Sequence, residues 1–252
     1  MIIFHLSTVF CPCYTEPMLP ALLLLAAFGL TSAQEPAVFT SKHSAADFEL
    51  TADPDAAPWR NIKGVVIEHD RDGRPVPSLR TEIRSRWTDT NLYFLFICRY
   101  EVLHVKPDPV TTEETNGLYY WDVAEVFVGS DFKNIGRYKE FEVSPQGEWI
   151  DLDIDLEHSK PIDGWTWNSG MRVRARIDAE NKTWYGEMCI PVKAIDAKPS
   201  REGREMRLNL FRIQGPFKVP SDRTSRTYLA WRPTGIHNSH VPEAFGLLRL
   251  EK

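Results

Sequence analysis

Cysteine is scarce in this sequence, and its spacing excludes several classes of protein. Four cysteines occur among 252 residues, too few for a small domain held together by disulfides. Cys98 and Cys189 lie inside the strand-like runs "YFLFICRY" and "WYGEMCIPV", and no Cys-x-x-Cys spacing indicates a zinc or redox site. A disulfide between these two residues and two separate buried thiols are both compatible with the sequence.

Positive charge is also in short supply. The chain carries 30 Lys and Arg against 35 Asp and Glu, a formal net charge of −5, and its isoelectric point is near 5.8. Nucleic-acid-binding domains carry a basic patch or stripe, so this balance argues against nucleic acid as a partner. A hydrophobic content of 42%, with 12% aromatic residues, can still build a sizeable core and excludes a disordered chain.

No apolar run is long enough to span a membrane. The most apolar stretch, "ALLLLAAFGL" at residues 21–30, is well short of the ~20 residues that a transmembrane helix needs. It is followed by Thr-Ser-Ala, small residues that suit signal peptidase. We therefore predict a signal peptide over residues 1–33, with a buried N-terminal helix as the alternative.

The remaining chain, residues 34–252, is predicted to be one secreted or periplasmic domain without a transmembrane segment. No Lys or Arg precedes Lys42, although signal peptides normally begin with a positively charged region. This absence favours Met18 as the true start and residues 1–17 as an erroneous extension.

Helical periodicity is nearly absent, whereas apolar and polar residues alternate again and again. In "EWIDLDIDLE" the Ile and Leu residues face one way and the Asp residues the other, as in a strand with one buried face. Residues 34–58 read as a lead-in, and "IPVKAID" as a single helical turn begun by Pro191. We predict an all-β fold, a single antiparallel β-sandwich of about ten strands with minimal helix. The other alternating runs lie near residues 62–68, 81–87, 92–100, 121–128, 138–143, 171–178, 183–190, 206–213 and 246–250.

The common catalytic and nucleotide-binding motifs are missing. The chain has no Gly-x-Ser-x-Gly, His-Glu-x-x-His, Walker loop or Gly-x-Gly-x-x-Gly. "DRDGR", with Asp70 and Asp72, is a weak candidate for a calcium loop, and a plain turn is the alternative that we favour.

One strand combines carboxylates with aromatic rings. In "YYWDVAEVFVGS", Asp122 and Glu125 are three residues apart, so their side chains point to opposite faces of a strand. They cannot form the acid/base pair of a glycosidase, which must flank one bond. Asp122 is expected to face inward and to be structural. Glu125 is either a ligand-binding group or a carboxylate neutralised by a neighbouring Arg.

Seven segments resemble one family in order along the chain: "LYFLFICRYE", "YWDVAEVFVG", "YKEFEVSPQGEWIDLD", "WYGEMCIPVKAI", "REMRLNLFRIQG", "AWRPT" and "HVPEAFGLLRL". Together they are similar to carbohydrate-binding family 9-like modules, a branch of the DOMON-like β-sandwiches, over nearly the whole chain after residue 48. The resemblance implies an immunoglobulin-like or jelly-roll sandwich that is often exported and binds an oligo- or polysaccharide. It further implies a non-catalytic role in carbohydrate catabolism, glycoside hydrolases as partners, and calcium as a stabiliser of loops.

In these modules a sugar lies between aromatic rings while polar side chains bond its hydroxyl groups. Aromatic rings suit the apolar faces of a pyranose, and carboxylates suit its hydroxyl rim. Carried over by position, the expected ligand-binding residues are Tyr119 or Trp121 as one stacking ring, Glu125 and Arg137 as polar ligands, and Trp231 or the segment with Asn238 and His240 as the remaining contacts.

Two other functions remain open from the sequence. Some DOMON-like domains transfer electrons through a haem held by Met and His, for which Met188 or Met206 with His240 are the candidates here. An uncharacterised carbohydrate-active enzyme would rely on His237 and His240 beside acidic neighbours. A lone Met in an apolar alternation is usually a core residue, and the enzyme lacks a nucleophile or a converging carboxylate pair in the sequence.

Overall fold

A computed structural model describes residues 37–161, 164–198, 201–216 and 226–252. Strands make up 42% of the structure, and within the described residues the α-helical content is the single turn α1, Val192–Ile195, which follows Pro191 as predicted. The all-β prediction is therefore confirmed. Across these same ranges, no helix has the length and apolar character needed to cross a membrane. The predicted signal peptide lies outside the described residues.

Twelve strands form the fold. They are β1 Val38–His43, β2 Val65–Ile67, β3 Thr81–Trp87, β4 Asn91–Arg99, β5 Val123–Gly129, β6 Arg137–Val143, β7 Trp149–Asp155, β8 Arg172–Asp178, β9 Thr183–Pro191, β10 Glu205–Gln214, β11 Thr227–Ala230 and β12 Gly246–Glu251.

These strands are hydrogen-bonded into one continuous sheet. Its order is β7-β6-β5-β10-β12-β1-β3-β4-β9-β8, with β11 beside β10 and β2 beside β3. The sheet curls until it is nearly closed and barrel-like, so the predicted division into two facing sheets is not confirmed. The prediction of a purely antiparallel arrangement is wrong, because β1 pairs in parallel with both β12 and β3.

The core lies inside the curled sheet. Alternate residues of β4 and β9, such as Phe94 and Met188, meet alternate residues of β5 and β10, such as Val126 and Leu210, and all four are fully buried. The two halves approach closely at Gly186 of β9, where a Cβ would come within 2.9 Å of a Val143 methyl group of β6. Full burial of each such side chain stabilises the fold by ~1.5–3 kcal/mol.

Two strands were missed from the sequence. β1 lies in the stretch expected to be a lead-in, and β11 was not predicted at all. β1 alternates correctly, with Phe39 and Ser41 buried, but it is short and partly polar. It forms because β12 and β3, which are distant in sequence, offer hydrogen-bonding edges on both of its sides.

Candidate functional site

The outer face of the β7-β6-β5-β10 part of the sheet carries two apolar clusters with a layer of carboxylates between them. Along β5, Val123, Glu125 and Phe127 point to this face, because side chains on a strand alternate. The Phe127 cluster consists of Phe127, Tyr138, Ile154, Phe211 and Ala230. The Val123 cluster consists of Leu118, Val123, Ile150 and Ile213.

Three glutamates form the carboxylate cluster: Glu125 of β5 with Glu140 and Glu142 of β6. Glu125 lies directly opposite Glu142 in the β5–β6 register, and Phe127 lies opposite Glu140. A carboxylate oxygen from each of the three lies within 4.8 Å of the others. Their exposed fractions are only 2%, 4% and 1% in chain order, so three acidic groups share one nearly dry space.

Burial and mutual repulsion raise the pKa of all three carboxyl groups. Burial is the larger cause in each case, and it raises the pKa of Glu140 to about 8 with the charge of Glu125 adding to it. The pKa values of Glu125 and Glu142 are raised well above their ordinary range. Arg226 and Arg71 oppose the shift at Glu125 through their positive charges. Such perturbed groups in a cleft are typical of functional sites.

A pocket of about 200 Å³ opens beside the cluster. This volume is below the ~300–1,000 Å³ of pockets for drug-sized ligands, which suits a single small ring. We call it the tyrosine pocket, and its lining consists of Arg71, Tyr119, Glu125, Phe127, Glu140, Lys160, Ile213, Tyr228, Asn238, Ser239 and His240.

Tyr119 enters the pocket from a 3₁₀ turn, Leu118–Tyr120, that precedes β5. Gly117 before it has φ of 73°, a left-handed conformation that favours glycine. Arg226 then holds the turn by donating hydrogen bonds to the carbonyl oxygens of Tyr119 and Trp121. The Tyr119 side chain is 37% exposed, so a ligand can reach its ring.

His240 and Asn238 close another side of the tyrosine pocket. Nδ1 of His240 lies 2.6 Å from the hydroxyl of Tyr138. The backbone N–H of His240 donates to the Asn238 side-chain oxygen at 3.0 Å. Burial lowers the pKa of His240 to about 4, and the positive charge of Lys160 adds to this effect. The imidazole is therefore neutral at physiological pH.

Arg71 and Tyr228 form the remaining polar wall. The Arg71 guanidinium lies 3.7 Å from the centre of the Tyr228 ring and donates to Nδ1 of His237 at 2.6 Å. These contacts orient a cation at the pocket's side, where it faces the carboxylate cluster.

Four of the seven predicted ligand-binding residues line the tyrosine pocket: Tyr119, Glu125, Asn238 and His240. Trp121 follows the 3₁₀ turn and contributes its carbonyl oxygen to Arg226 at 2.7 Å. Trp231 packs against the core, with its ring centre 6.1 Å from that of Phe39. The Trp231 ring would also meet any Cβ placed at Gly246, at 2.8 Å.

Arg137 does not pair with Glu125. It ion-pairs with Asp155 of β7 at 3.0 Å, and it stands opposite Asp155 in the β6–β7 register. Arg137 lies in a separate open groove of about 770 Å³ that also contains Trp165 and Trp167. The Lys160 and Lys139 amines already lie over these two indole rings, at 5.0 and 4.5 Å, which leaves those faces less suited to stacking on a sugar.

The predicted orientation of the acidic pair on β5 is confirmed. Asp122 is fully buried on the inner side and accepts hydrogen bonds from the His104 N–H, the Gly215 N–H and the Gln214 side chain, at 3.0, 2.8 and 2.8 Å. It is a structural residue, and Glu125 points to the opposite face.

Asp70 and Asp72 form a turn. The Asp70 carboxylate accepts the N–H groups of Asp72 and Arg74 at 3.0 and 2.8 Å. The Arg74 guanidinium then lies 3.1 Å from the Asp72 carboxylate. These carboxylates are engaged by donors of their own loop, as in the plain turn that the sequence favoured.

The residues suggested for haem do not converge. Met188 and Met206 belong to the core inside the sheet, whereas the ring centre of His240 lies 5.3 Å from that of Phe127 on the outer face.

The two cysteines are also separated: Cys98 belongs to the inner core and Cys189 to a cluster on the opposite side of the sheet. Both are free thiols.

Sequence reasoning missed most of the carboxylate cluster. Glu140 and Glu142 alternate with Phe141 and Val143 in "YKEFEV", a pattern that sends two glutamates to one face of the strand next to Glu125. Local spacing does not show that β5 and β6 are paired, so the sequence alone did not reveal that the three glutamates meet.

Comparison with known proteins finds likeness only at the level of structure. No family model matches the sequence, and no curated protein matches it. A protein of Bacteroides uniformis, described as a proposed carbohydrate-binding protein, is 15% identical, with a TM-score of 0.64 over 86% of this chain and 100% of its own.

A carbohydrate-binding module of family 9 from Caldicellulosiruptor kristjanssonii has been solved twice. In complex with cellotriose it is 13% identical, with a TM-score of 0.60 over 85% of this chain and 94% of its own. In complex with glucose it is 13% identical, with a TM-score of 0.57 over 84% and 95%. This protein therefore has a family 9-like fold, in agreement with the resemblance drawn from the sequence.

Proposed function

We propose that this protein is an exported, non-catalytic carbohydrate-binding module that holds one sugar ring in the tyrosine pocket and serves carbohydrate catabolism. The observation that carries the proposal is the placement of an accessible aromatic ring, Tyr119, beside the buried carboxylate of Glu125 in a pocket sized for a single ring.

The chemistry of the pocket matches a pyranose. The Tyr119 ring offers an apolar face for C–H groups, while Glu125 and the Asn238 side chain can bond hydroxyl groups. Glycoside hydrolases acting on the same saccharide are the expected partners. The structural neighbours solved with glucose and cellotriose make these two sugars the first ligands to test.

The test is calorimetric titration of glucose, cellotriose and further oligosaccharides into the wild type and two variants. Loss of the stacking ring in Tyr119→Ala should weaken binding roughly two- to tenfold, since aromatic contacts contribute ~0.5–1.5 kcal/mol beyond the area they bury. Glu125→Gln should weaken it by a similar amount, because it replaces a carboxyl oxygen that can accept a sugar hydroxyl with an amide NH₂ group that cannot, and a typical hydrogen bond contributes ~0.5–1.5 kcal/mol.

Two matched controls make the result specific. Phe132→Ala removes an exposed ring that does not belong to the pocket lining, and Arg137→Gln removes the cation expected from the sequence. Both should bind as the wild type does. Equal affinity in Tyr119→Ala, Glu125→Gln and these controls would place the site elsewhere.

Export is a separate part of the proposal. Amino-terminal sequencing of protein recovered from its native host should begin near Gln34. Mature protein that retains residues 1–33 would contradict it.

A further inference from the structure

The carboxylate cluster contains hydrogen-bond acceptors that no donor in the described part of the chain satisfies. Oε2 of Glu140 and Oε2 of Glu142 are both buried, and neither has a hydrogen-bond partner within the part of the chain that the structure describes. The two side chains are only 4% and 1% exposed. A buried polar atom without a partner destabilises the fold, and more so when it is charged.

Cations near the cluster are engaged in other contacts. Arg226 donates to backbone carbonyl oxygens of the 3₁₀ turn, Arg71 stacks on Tyr228 and bonds His237, and Lys160 lies over Trp165. With all of these in place, neither Oε2 atom has a donor, although the Glu140 and Glu142 carboxyl groups also hydrogen-bond to each other.

The arrangement of the oxygens suits a metal ion. Oxygens from three carboxylates lie within 4.8 Å of one another, a spacing that oxygens at ~2.3–2.6 Å from one central Ca²⁺ also produce. Carboxylate-only sites prefer hard cations such as Ca²⁺, Mg²⁺ and Mn²⁺. Because the glutamates stand on two adjacent strands in fixed register, the ligands are already assembled before the ion arrives.

We propose that Glu125, Glu140 and Glu142 bind an oxygen-preferring divalent cation, Ca²⁺ in the first instance, at the floor of the tyrosine pocket. Three carboxylates leave part of the coordination shell of Ca²⁺ open, since this ion takes ~6–8 oxygens. Glu125 and Glu140 line the pocket, so the open positions face the space where the sugar would lie. Resting on the proposed function, we further propose that sugar hydroxyl groups complete the shell.

Cation binding is tested first and without any sugar. CaCl₂, MgCl₂ and MnCl₂ are titrated calorimetrically into full-length protein stripped with a chelator, and thermal unfolding is followed in parallel. We expect one site for at least one of these ions and a rise in melting temperature that grows with its concentration.

Variants locate the ion. Glu142→Gln, which removes the most buried ligand, should weaken cation binding at least tenfold, and Glu140→Gln should do the same. The control is the double variant Asp70→Asn and Asp72→Asn, which neutralises the acidic turn and should leave affinity unchanged. Absence of heat and of stabilisation up to 10 mM cation, or loss of binding in the turn variant alone, would overturn the proposal.

Sugar binding is then measured with the cation and with excess chelator. Affinity at least tenfold lower in chelator supports a cation that contacts the sugar. If sugar binds equally in both conditions, the saccharide function stands and the bridging cation is wrong. If the cation binds and no sugar does, the cation site stands and the proposed function fails.

Discussion

Glutamate side chains are buried on two outer faces of the same sheet, but their hydrogen bonding differs between the two faces. On the β9 side, Glu187 is fully buried and accepts hydrogen bonds from the Thr51 N–H, the Ala52 N–H and the Trp59 indole at 2.7, 2.6 and 2.7 Å. On the β5–β6 side, Glu125, Glu140 and Glu142 are almost as deeply buried and lie against one another.

This contrast in hydrogen bonding distinguishes a structural carboxylate from one that is positioned to bind a ligand. Residues 48–59 cover the β9 face, and their donors are aimed at Glu187, so the chain itself completes that site. No comparable segment among the described residues supplies donors to the two Oε2 atoms of Glu140 and Glu142. Burial alone does not distinguish the two cases, but hydrogen-bond satisfaction does.

The largest effect is expected at Glu187. Glu187→Ala should lower the free energy of unfolding by roughly 3–5 kcal/mol, because it leaves two buried donors and one partly buried donor without an acceptor and each buried one costs ~1–3 kcal/mol. Urea unfolding followed by tryptophan fluorescence measures the change. Glu49→Gln, an exposed residue on the covering segment, is the control and should change stability little. If Glu187→Ala lowers the free energy of unfolding by less than about 1 kcal/mol, the hydrogen bonds to Glu187 do not make it more structural than the glutamates of the other face.

A smaller effect of opposite sign is expected at Glu142. In chelator at pH 8, Glu142→Gln should match or exceed the wild type in stability, by ~1 kcal/mol, because burial and the neighbouring Glu140 disfavour ionisation of Glu142 in the native state but not in the unfolded chain. The pH dependence follows from the raised pKa of Glu140, about 8. Between the ordinary value of 4.5 and 8, the native state keeps a proton that the unfolded chain has lost.

Stability of the wild type should therefore fall as pH rises from about 5 to 8, by up to ~1.4 kcal/mol per pH unit for each such proton. Urea midpoints across this range, in chelator, measure the slope. A Glu142→Gln variant that is clearly less stable than the wild type would mean that the cluster, like Glu187, is internally satisfied.

An effect confined to acidic pH concerns His240 at the pocket wall. Its pKa is lowered to about 4 by burial, so the native imidazole stays neutral where the unfolded one, with an ordinary pKa of ~6.5, becomes protonated. This contribution destabilises the fold as pH falls from about 6.5 to 4. His240→Gln should flatten that part of the stability profile, as measured by urea unfolding at pH 4.5, 5.5 and 7. Parallel profiles in both proteins would show that His240 is accessible to protons in the native state.

Local patterns sufficed for most of the fold, and the family resemblance pointed to four of the residues that line the tyrosine pocket. β3 was predicted with its full range because "TEIRSRW" alternates cleanly, and Glu125 was assigned to the face opposite Asp122 by alternation alone. β1 was missed because its stability depends on two parallel neighbours. Arg137 was expected to bind the same sugar as Glu125, but it lies in a separate groove, because position in a motif does not reveal that β7 offers Asp155 beside it.

Alternation with period two is a local property of each strand, so the sequence was enough to predict an all-β protein. The same alternation assigned the carboxylate of Glu125 to one face of β5. Strand pairing and loop paths, in contrast, bring Glu140 and Glu142 to Glu125, place residues 48–59 over one outer face, and bring Tyr119, Asn238 and His240 together at the other. These outcomes depend on strand pairings and loop paths between segments that are far apart in the chain. The free energy of burying a side chain and of satisfying its hydrogen bonds depends on those distant neighbours, which no local sequence pattern specifies.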